Sequence, residues 1–391
     1  MSNLPKVSSL YATIFLFVCF FLYQYGLSYH LSFGSIGLFL LVLISYKYKT
    51  EVGINLSFII PLLILICFTM HVYNYGESEY LARILRYCFT AWALFFILNS
   101  SCTIPPPPEK FLLAAVIILL FIAGYQNFVD PFAKAPNQLM ALKTEYLDIE
   151  LAREVFDAEI NGKLRASGLY TEPSVLALVS CCILFIALAS ADKLKNVIIW
   201  LVLLVVFLSG SLLGYIGVTM LLFLVYRSEI FRSEKVMLLF VFAVPIAIFS
   251  LFFMLAERSA GGGELLDGSS MVRLVYPFII INENFKNFDF LGYCGDIYTH
   301  FLSLNLYDSM GNYPGHNGFL SLIQAFGIFG VVMILILFNR LRHLMEYVII
   351  FLIGSQSGNF FSYEKVYLMA YMVLVYRYNF KFKLTTLNDF R

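Results

Sequence analysis

Apolar residues in this chain come in long unbroken runs, and polar residues are gathered into the gaps between them. A run of about 18–20 apolar residues in a helix crosses the roughly 30 Å hydrocarbon layer of a bilayer. Read this way, the pattern predicts spans near residues 9–25, 31–46, 54–72, 80–98, 111–125 and 173–190. Further spans follow near 197–208, 212–226, 236–255 and 319–338, with two shorter ones near 344–353 and 366–376. The expected fold class is therefore an all-α polytopic membrane protein with about twelve transmembrane helices, forming one integral membrane domain over residues 1–391.

Two polar interruptions are much longer than the rest, at residues 129–172 and 256–316. In the first, Leu139, Leu142, Tyr146, Ile149, Val155, Phe156 and Ile160 recur at roughly helical spacing among acidic residues. That predicts an amphipathic helix lying on the membrane surface or on the bundle. The second carries Gly261-Gly262-Gly263, suited to a hinge, and then Ser269 or Ser270 as a cap for a helix containing Arg273.

Lysine and arginine alternate sides along the chain, which orients it. With the N-terminus inside, the inward loops hold Lys47, Lys49, Lys193, Lys195, Arg227, Arg232, Lys235, Arg340 and Arg342. Both long interruptions then face outward, each richer in acidic than in basic residues, and both termini are cytoplasmic. The first run follows Lys6 as a signal peptide would, but no small-residue cleavage site follows it, so an uncleaved helix is expected.

Composition narrows the picture further. Of 391 residues 60% are hydrophobic and only 13% charged, too few to cover the surface of a soluble protein. The 40 phenylalanines and 26 tyrosines come without a basic groove, so nucleic acid is not an expected partner. The seven cysteines are scattered and form no disulfide framework. No spacing typical of metal ligands occurs, and neither a metal nor a cofactor is expected. Asp148-Ile149-Glu150 puts two carboxylates two residues apart, which on a helix point about 200° away from each other and cannot share an ion. Pro105 to Pro108 predicts a stiff connector.

The candidate chemistry lies at the outward ends. Arg165 and Arg273 stand on the side where cations are unexpected, and guanidinium grips phosphate oxygens in pairs; lipid headgroups or a helix surface would use them as well. Glu172 precedes Pro173 at the start of the sixth span, as a helix-end carboxylate or as a base. His316 sits in a Gly-His-Asn turn, where Asn317 can cap the tenth span and the imidazole can take a proton near neutral pH. Arg83 and Arg86 lie roughly 6 and 10 Å into the fourth span at 1.5 Å per residue, shallow enough to reach the interface.

The stretch Arg165-x-Ser167-Gly168-Leu169-Tyr170-x-Glu172-Pro173-Ser174, closing a large outward loop, resembles the signature of bacterial O-antigen polymerases of the Wzy type. Arg273 with Leu291-Gly292-Tyr293-x-Gly295, and His316-Asn317 with Gly327-Ile328-Phe329-Gly330, are similar to the later motifs of that family. The resemblance covers roughly residues 165–330; upstream the match is only a run of spans. One departure is that Ser211 is followed by Leu212 and Leu213 where relatives often carry an arginine.

The resemblance implies a glycosyltransferase of the bacterial inner membrane, acting on the periplasmic face. It would join undecaprenyl-diphosphate-linked O-antigen repeat units into a polysaccharide for lipopolysaccharide, with a chain-length regulator and a flippase as partners. Arg165, Arg273 and Arg86 would bind the diphosphate without a metal, and His316 or Glu172 would serve as the base. The O-antigen ligase, which moves finished glycan onto lipid A core, shares this architecture. A transporter of lipid-linked oligosaccharide is the rival from another class, and would call for ionisable residues at mid-membrane.

Overall fold

The computed structural model describes residues 10–28, 31–47, 54–129, 166–170, 172–190, 193–232, 279–282, 290–295, 317–356 and 359–388. Among these the chain is almost wholly helical: α1 (Leu10–Phe21), α2 (Phe33–Lys47), α3 (Ile54–Tyr75), α4 (Leu81–Asn99), α5 (Glu109–Phe128), α6 (Pro173–Ser190), α7 (Lys195–Ser209), α8 (Leu212–Arg232), α9 (Gly318–Arg340), α10 (Leu344–Gly354) and α11 (Tyr363–Asn388). Two short strands, β1 (Gly26–Ser28) and β2 (Leu31–Ser32), pair antiparallel between α1 and α2. Among the described residues five helices are long and apolar enough to cross a membrane: those beginning at Ser57 (within α3), Leu81, Glu109, Pro173 and Gly318. The run predicted near 236–255, the surface helix predicted around residues 139–160 and the cap predicted at Ser269 or Ser270 lie outside the described residues.

Helices α6 and α11 form the centre. Every residue of α6 from Pro173 to Leu188 is buried, and so is every residue of α11 from Val366 to Val375. Around them α2, α4, α7, α8 and α10 pack directly, with α3 on α4 and α5 on α7. The outer helices keep one face open, where Phe39, Phe58, Leu62, Phe121, Trp200 and Leu335 are exposed. An apolar face of this size suits lipid, which offers no hydrogen bonds and asks for none.

Long-range hydrogen bonds gather the helix ends into two groups. At one end Arg377 of α11 donates to Leu98 O (2.7 Å) and Arg340 O (3.3 Å), and holds Glu346 through Nε at 3.0 Å and Nη2 at 3.2 Å. Ile104 N, in the stretch just before the four prolines, donates to Leu374 O there (3.3 Å). At the other end Ser32 Oγ donates to Glu364 Oε1 (2.8 Å), and Tyr25 and Tyr170 bond to Leu169 O and Phe21 O. The first group carries Lys47, Lys195, Arg227, Arg340 and Arg342, and is called the basic end below; the second is the mouth end.

The tenth predicted run, read as one span, is broken. Gly327 inside α9 has φ 52° and ψ −129°, and the helix axis changes there. Hydropathy cannot reveal such a break, because the residues on both sides of it are equally apolar.

Candidate functional site

At the mouth end, residues 166–170 fold as a pinned turn, and residues 172–174 lead into α6. Gln126, near the end of α5, receives Ser167 N at 3.1 Å and Gly168 N at 2.8 Å on Oε1, and returns its amide to Gly168 O at 3.1 Å. Gly168 has φ +63°, and a Cβ there would press into Leu176, so glycine is required. Tyr170 donates to Phe21 O (3.0 Å), and its ring lies 6.2 Å from that of Tyr23. Burial first, then Tyr23, Tyr25 and Cys182, push the Tyr170 phenol well above its ordinary pKa, which keeps it a neutral donor.

Glu172 follows this turn. Its carbonyl accepts Val175 N (3.0 Å) and Leu176 N (3.2 Å), starting α6, while Oε2 of its carboxylate accepts the Ser174 hydroxyl at 2.7 Å. Ser174 in turn accepts Gln356 Nε2 at 2.9 Å. The Gln356 carbonyl receives both Lys365 Nζ (2.6 Å) and Gly318 N (3.2 Å). Lys365 and Glu172 also interact electrostatically. One residue between α10 and α11 thus joins the first turns of α6, α9 and α11.

Asn317 caps α9 as expected: Oδ1 accepts Phe319 N at 3.1 Å and Leu320 N at 3.3 Å. The Leu291-Gly292-Tyr293-Cys294-Gly295 strap lies against the break in that helix. Tyr293 N donates to Gln324 O (2.8 Å) and Ile328 N to Phe290 O (2.9 Å), so the strap takes the bonds that the break leaves open. Gly292 (φ +74°) and Gly327 face each other, and a Cβ on either would collide with backbone of the other segment. On its far side the strap is tied to α3 and α4. Tyr293 Oη donates to Glu77, whose Oε2 also meets His71 Nε2 at 3.2 Å, and Arg83 Nη2 donates to Cys294 O and Gly295 O at 2.6 Å each.

Of the residues expected to act, Glu172 and Arg86 are among those described. Glu172 stands in the network above. Arg86 is exposed on α4, one turn below Arg83, which is spent on the strap. Arg165, Arg273 and His316 lie outside the described residues; Arg165 directly precedes the buried Ala166, and His316 directly precedes the cap Asn317. Sequence reasoning missed Gln356, Lys365 and Gln126. Lys365 carried a signal, since alternation puts the turn between the last two runs outward, where a cation is unexpected.

Three helix N-termini meet beside Glu172, each contributing a partial positive charge, and the buried Lys365 amine lies among them. Such an arrangement favours an anion at the mouth, and a carboxylate beside it can receive a proton. Among the described residues no three histidine, cysteine or carboxylate side chains are grouped to hold a metal ion.

A family model described as WcaD colanic acid polymerase matches residues 6–378, nearly the whole chain. Among curated proteins none matches it.

Proposed function

The chain belongs to the WcaD colanic acid polymerase family, and from that premise we propose that it polymerises lipid-linked oligosaccharide repeat units by glycosyl transfer at the mouth end. The proposed donor is the growing glycan on undecaprenyl diphosphate, and the acceptor is a new lipid-linked repeat unit. A hydroxyl of the acceptor attacks the anomeric carbon of the donor. The bond from that carbon to the diphosphate oxygen breaks, the hydroxyl proton passes to the base, and undecaprenyl diphosphate leaves. The donor is already activated, so no nucleotide is consumed.

The leaving diphosphate needs positive charge at the interface, and in this reading Arg165, Arg273 and Arg86 supply it without a metal. His316 or Glu172 takes the proton. The observation that carries the site assignment is the convergence of the α6, α9 and α11 N-termini on Gln356, beside Glu172 and Lys365. This brings together the chain positions next to the two motifs that close the long loops. Also proposed, on the lysine and arginine pattern, are about twelve spans, both termini in the cytoplasm, and loops 129–172 and 256–316 on the periplasmic side of the inner membrane. A chain-length regulator and a flippase are the proposed protein partners. Neither the ligase nor the transporter reading has an observation in its favour.

The test is the purified protein in nanodiscs, supplied with lipid-linked repeat units. A ladder of glycan lengths is expected. Transfer of one preformed chain to lipid A core with no ladder, or movement of lipid across the bilayer without new glycosidic bonds, overturns the reading.

A further inference from the structure

A second site lies at the opposite, basic end of the bundle, far in function from the glycan chemistry. A cavity of about 410 Å³ opens there among the ends of α6, α7, α8, α10 and α11. Its polar lining comes from Lys195 at the start of α7, Arg227 on α8, His343 just before α10, and Tyr376 of α11; Leu188 and Leu224 are among its apolar walls. The size is within the range of small-ligand sites, roughly 300–1,000 Å³.

The lining holds two permanent cations and no carboxylate. Glu346, adjacent in sequence to the lining residue Met345, is taken up by Arg377 (3.0 Å) and by Arg342 N (2.9 Å). Glu109 Oε2 is turned to the Leu194 amide (3.0 Å). The Lys195 ammonium also lies 5.8 Å from the centroid of the Tyr226 ring. The apolar lining reaches the outer surface at Leu344, which is exposed. A free polar anion would leave those walls wet, whereas a phosphate carried on a diacylglycerol satisfies both halves of the lining.

We propose that this cavity binds the headgroup phosphate of an anionic phospholipid, with the upper acyl segments against Leu188 and Leu224. Basic pockets between membrane helices hold anionic headgroups through the same combination of charge and apolar contact. The site itself does not depend on the polymerase reading; only the leaflet, the cytoplasmic one, rests on the orientation proposed above.

The experiment equilibrates the whole protein in detergent with equal amounts of phosphatidylglycerol and phosphatidylcholine, and reads retained lipid by native mass spectrometry. Phosphatidylglycerol should be retained preferentially. Lys195→Gln with Arg227→Gln should weaken that retention roughly 25-fold, about fivefold for each cation near the surface. Leu224→Trp, which narrows the cavity and leaves the charges in place, should also weaken it. Equal retention of the two lipids by the wild type, or an undiminished preference in the double variant, overturns the proposal. In a second arm sn-glycerol 3-phosphate competes with the lipid. Displacement at millimolar concentration would assign the cavity to a soluble phosphate and sink the lipid assignment.

Discussion

Gln356 and Ser174 stand 182 residues apart and share a 2.9 Å hydrogen bond at the mouth end. Through it the Glu172 carboxylate is held by a residue from the far end of the sequence. Removing the amide in Gln356→Leu leaves Ser174 without its donor and lets Glu172 drift. A displacement of about 1 Å in a reacting group can cost about 10²-fold in rate. If Glu172 is the base, turnover in nanodiscs should fall by that order; in either case stability should be lower by about 1–2 kcal/mol for the lost hydrogen bond. Full turnover in a variant of normal stability would show that the bond is irrelevant to the chemistry.

Gly292→Ala and Gly327→Ala each put a methyl group into opposing backbone at a positive φ. A side chain held in these sparsely populated backbone conformations costs roughly 1–3 kcal/mol, and the collision adds to it. Both variants should melt earlier or fail to accumulate. Gly124→Ala is the control, since a Cβ there meets nothing within 4 Å, and a helical alanine should be neutral or slightly stabilising. Size-exclusion with fluorescence during heating reads all three. Unchanged melting in Gly327→Ala would mean the strap does not sit on α9 as described.

The two arginines of α4 should separate cleanly. Arg83→Ala removes both bonds to the strap and should destabilise the protein. Arg86→Ala should leave stability alone, because the side chain is exposed, and should raise KM for the lipid-linked donor. An Arg86→Ala enzyme with wild-type kcat and KM removes that residue from the donor site.

The Arg377–Glu346 pair at the basic end is buried on both sides, so breaking it strands a charge. Arg377→Leu should cost about 3–5 kcal/mol. The double change, with Glu346→Leu added, should recover part of that loss. A double variant less stable than the single one would refute the pairing as the reason for the cost.

The proposed base is decided by kinetics. His316→Gln keeps a hydrogen-bonding group without basicity, and if the histidine takes the proton turnover drops about 10²–10⁴-fold. In that case Glu172→Asp keeps most activity. The opposite ranking hands the role to Glu172. Arg165→Lys and Arg273→Lys should each fail to rescue polymerisation, because an ammonium does not reproduce the paired contact of guanidinium. Long-chain product at normal level from either lysine variant would end the claim for that arginine.

Much of the helical scaffold was legible because membrane burial writes itself into composition. The start of α6 at Pro173, its end at Ser190 and the Asn317 cap follow from local rules, since each concerns neighbours in sequence. The glycines of the motifs were legible as residue types, but their reason was not. Gly292 and Gly327 are required by one another, and no local pattern links positions 35 residues apart. Gln126, Gln356 and Arg377 were invisible for the same cause: each is a polar residue at a span edge whose partner is set by packing. Hydropathy says that such a residue needs a partner, and cannot say which.

The closing of the mouth by Gln356 and Lys365 has a consequence for how the protein is made. A ribosome adding about 5–20 residues per second delivers Lys365 on the order of 10–40 seconds after Ser174. Throughout that interval α6 is already synthesised, with Glu172 and Ser174 waiting for partners still to be translated. The mouth network is therefore among the later parts of the bundle to be completed, followed by the Arg377 network at the basic end. On the proposed assignment of the site, translation order keeps an unfinished chain from acting on a lipid-linked substrate.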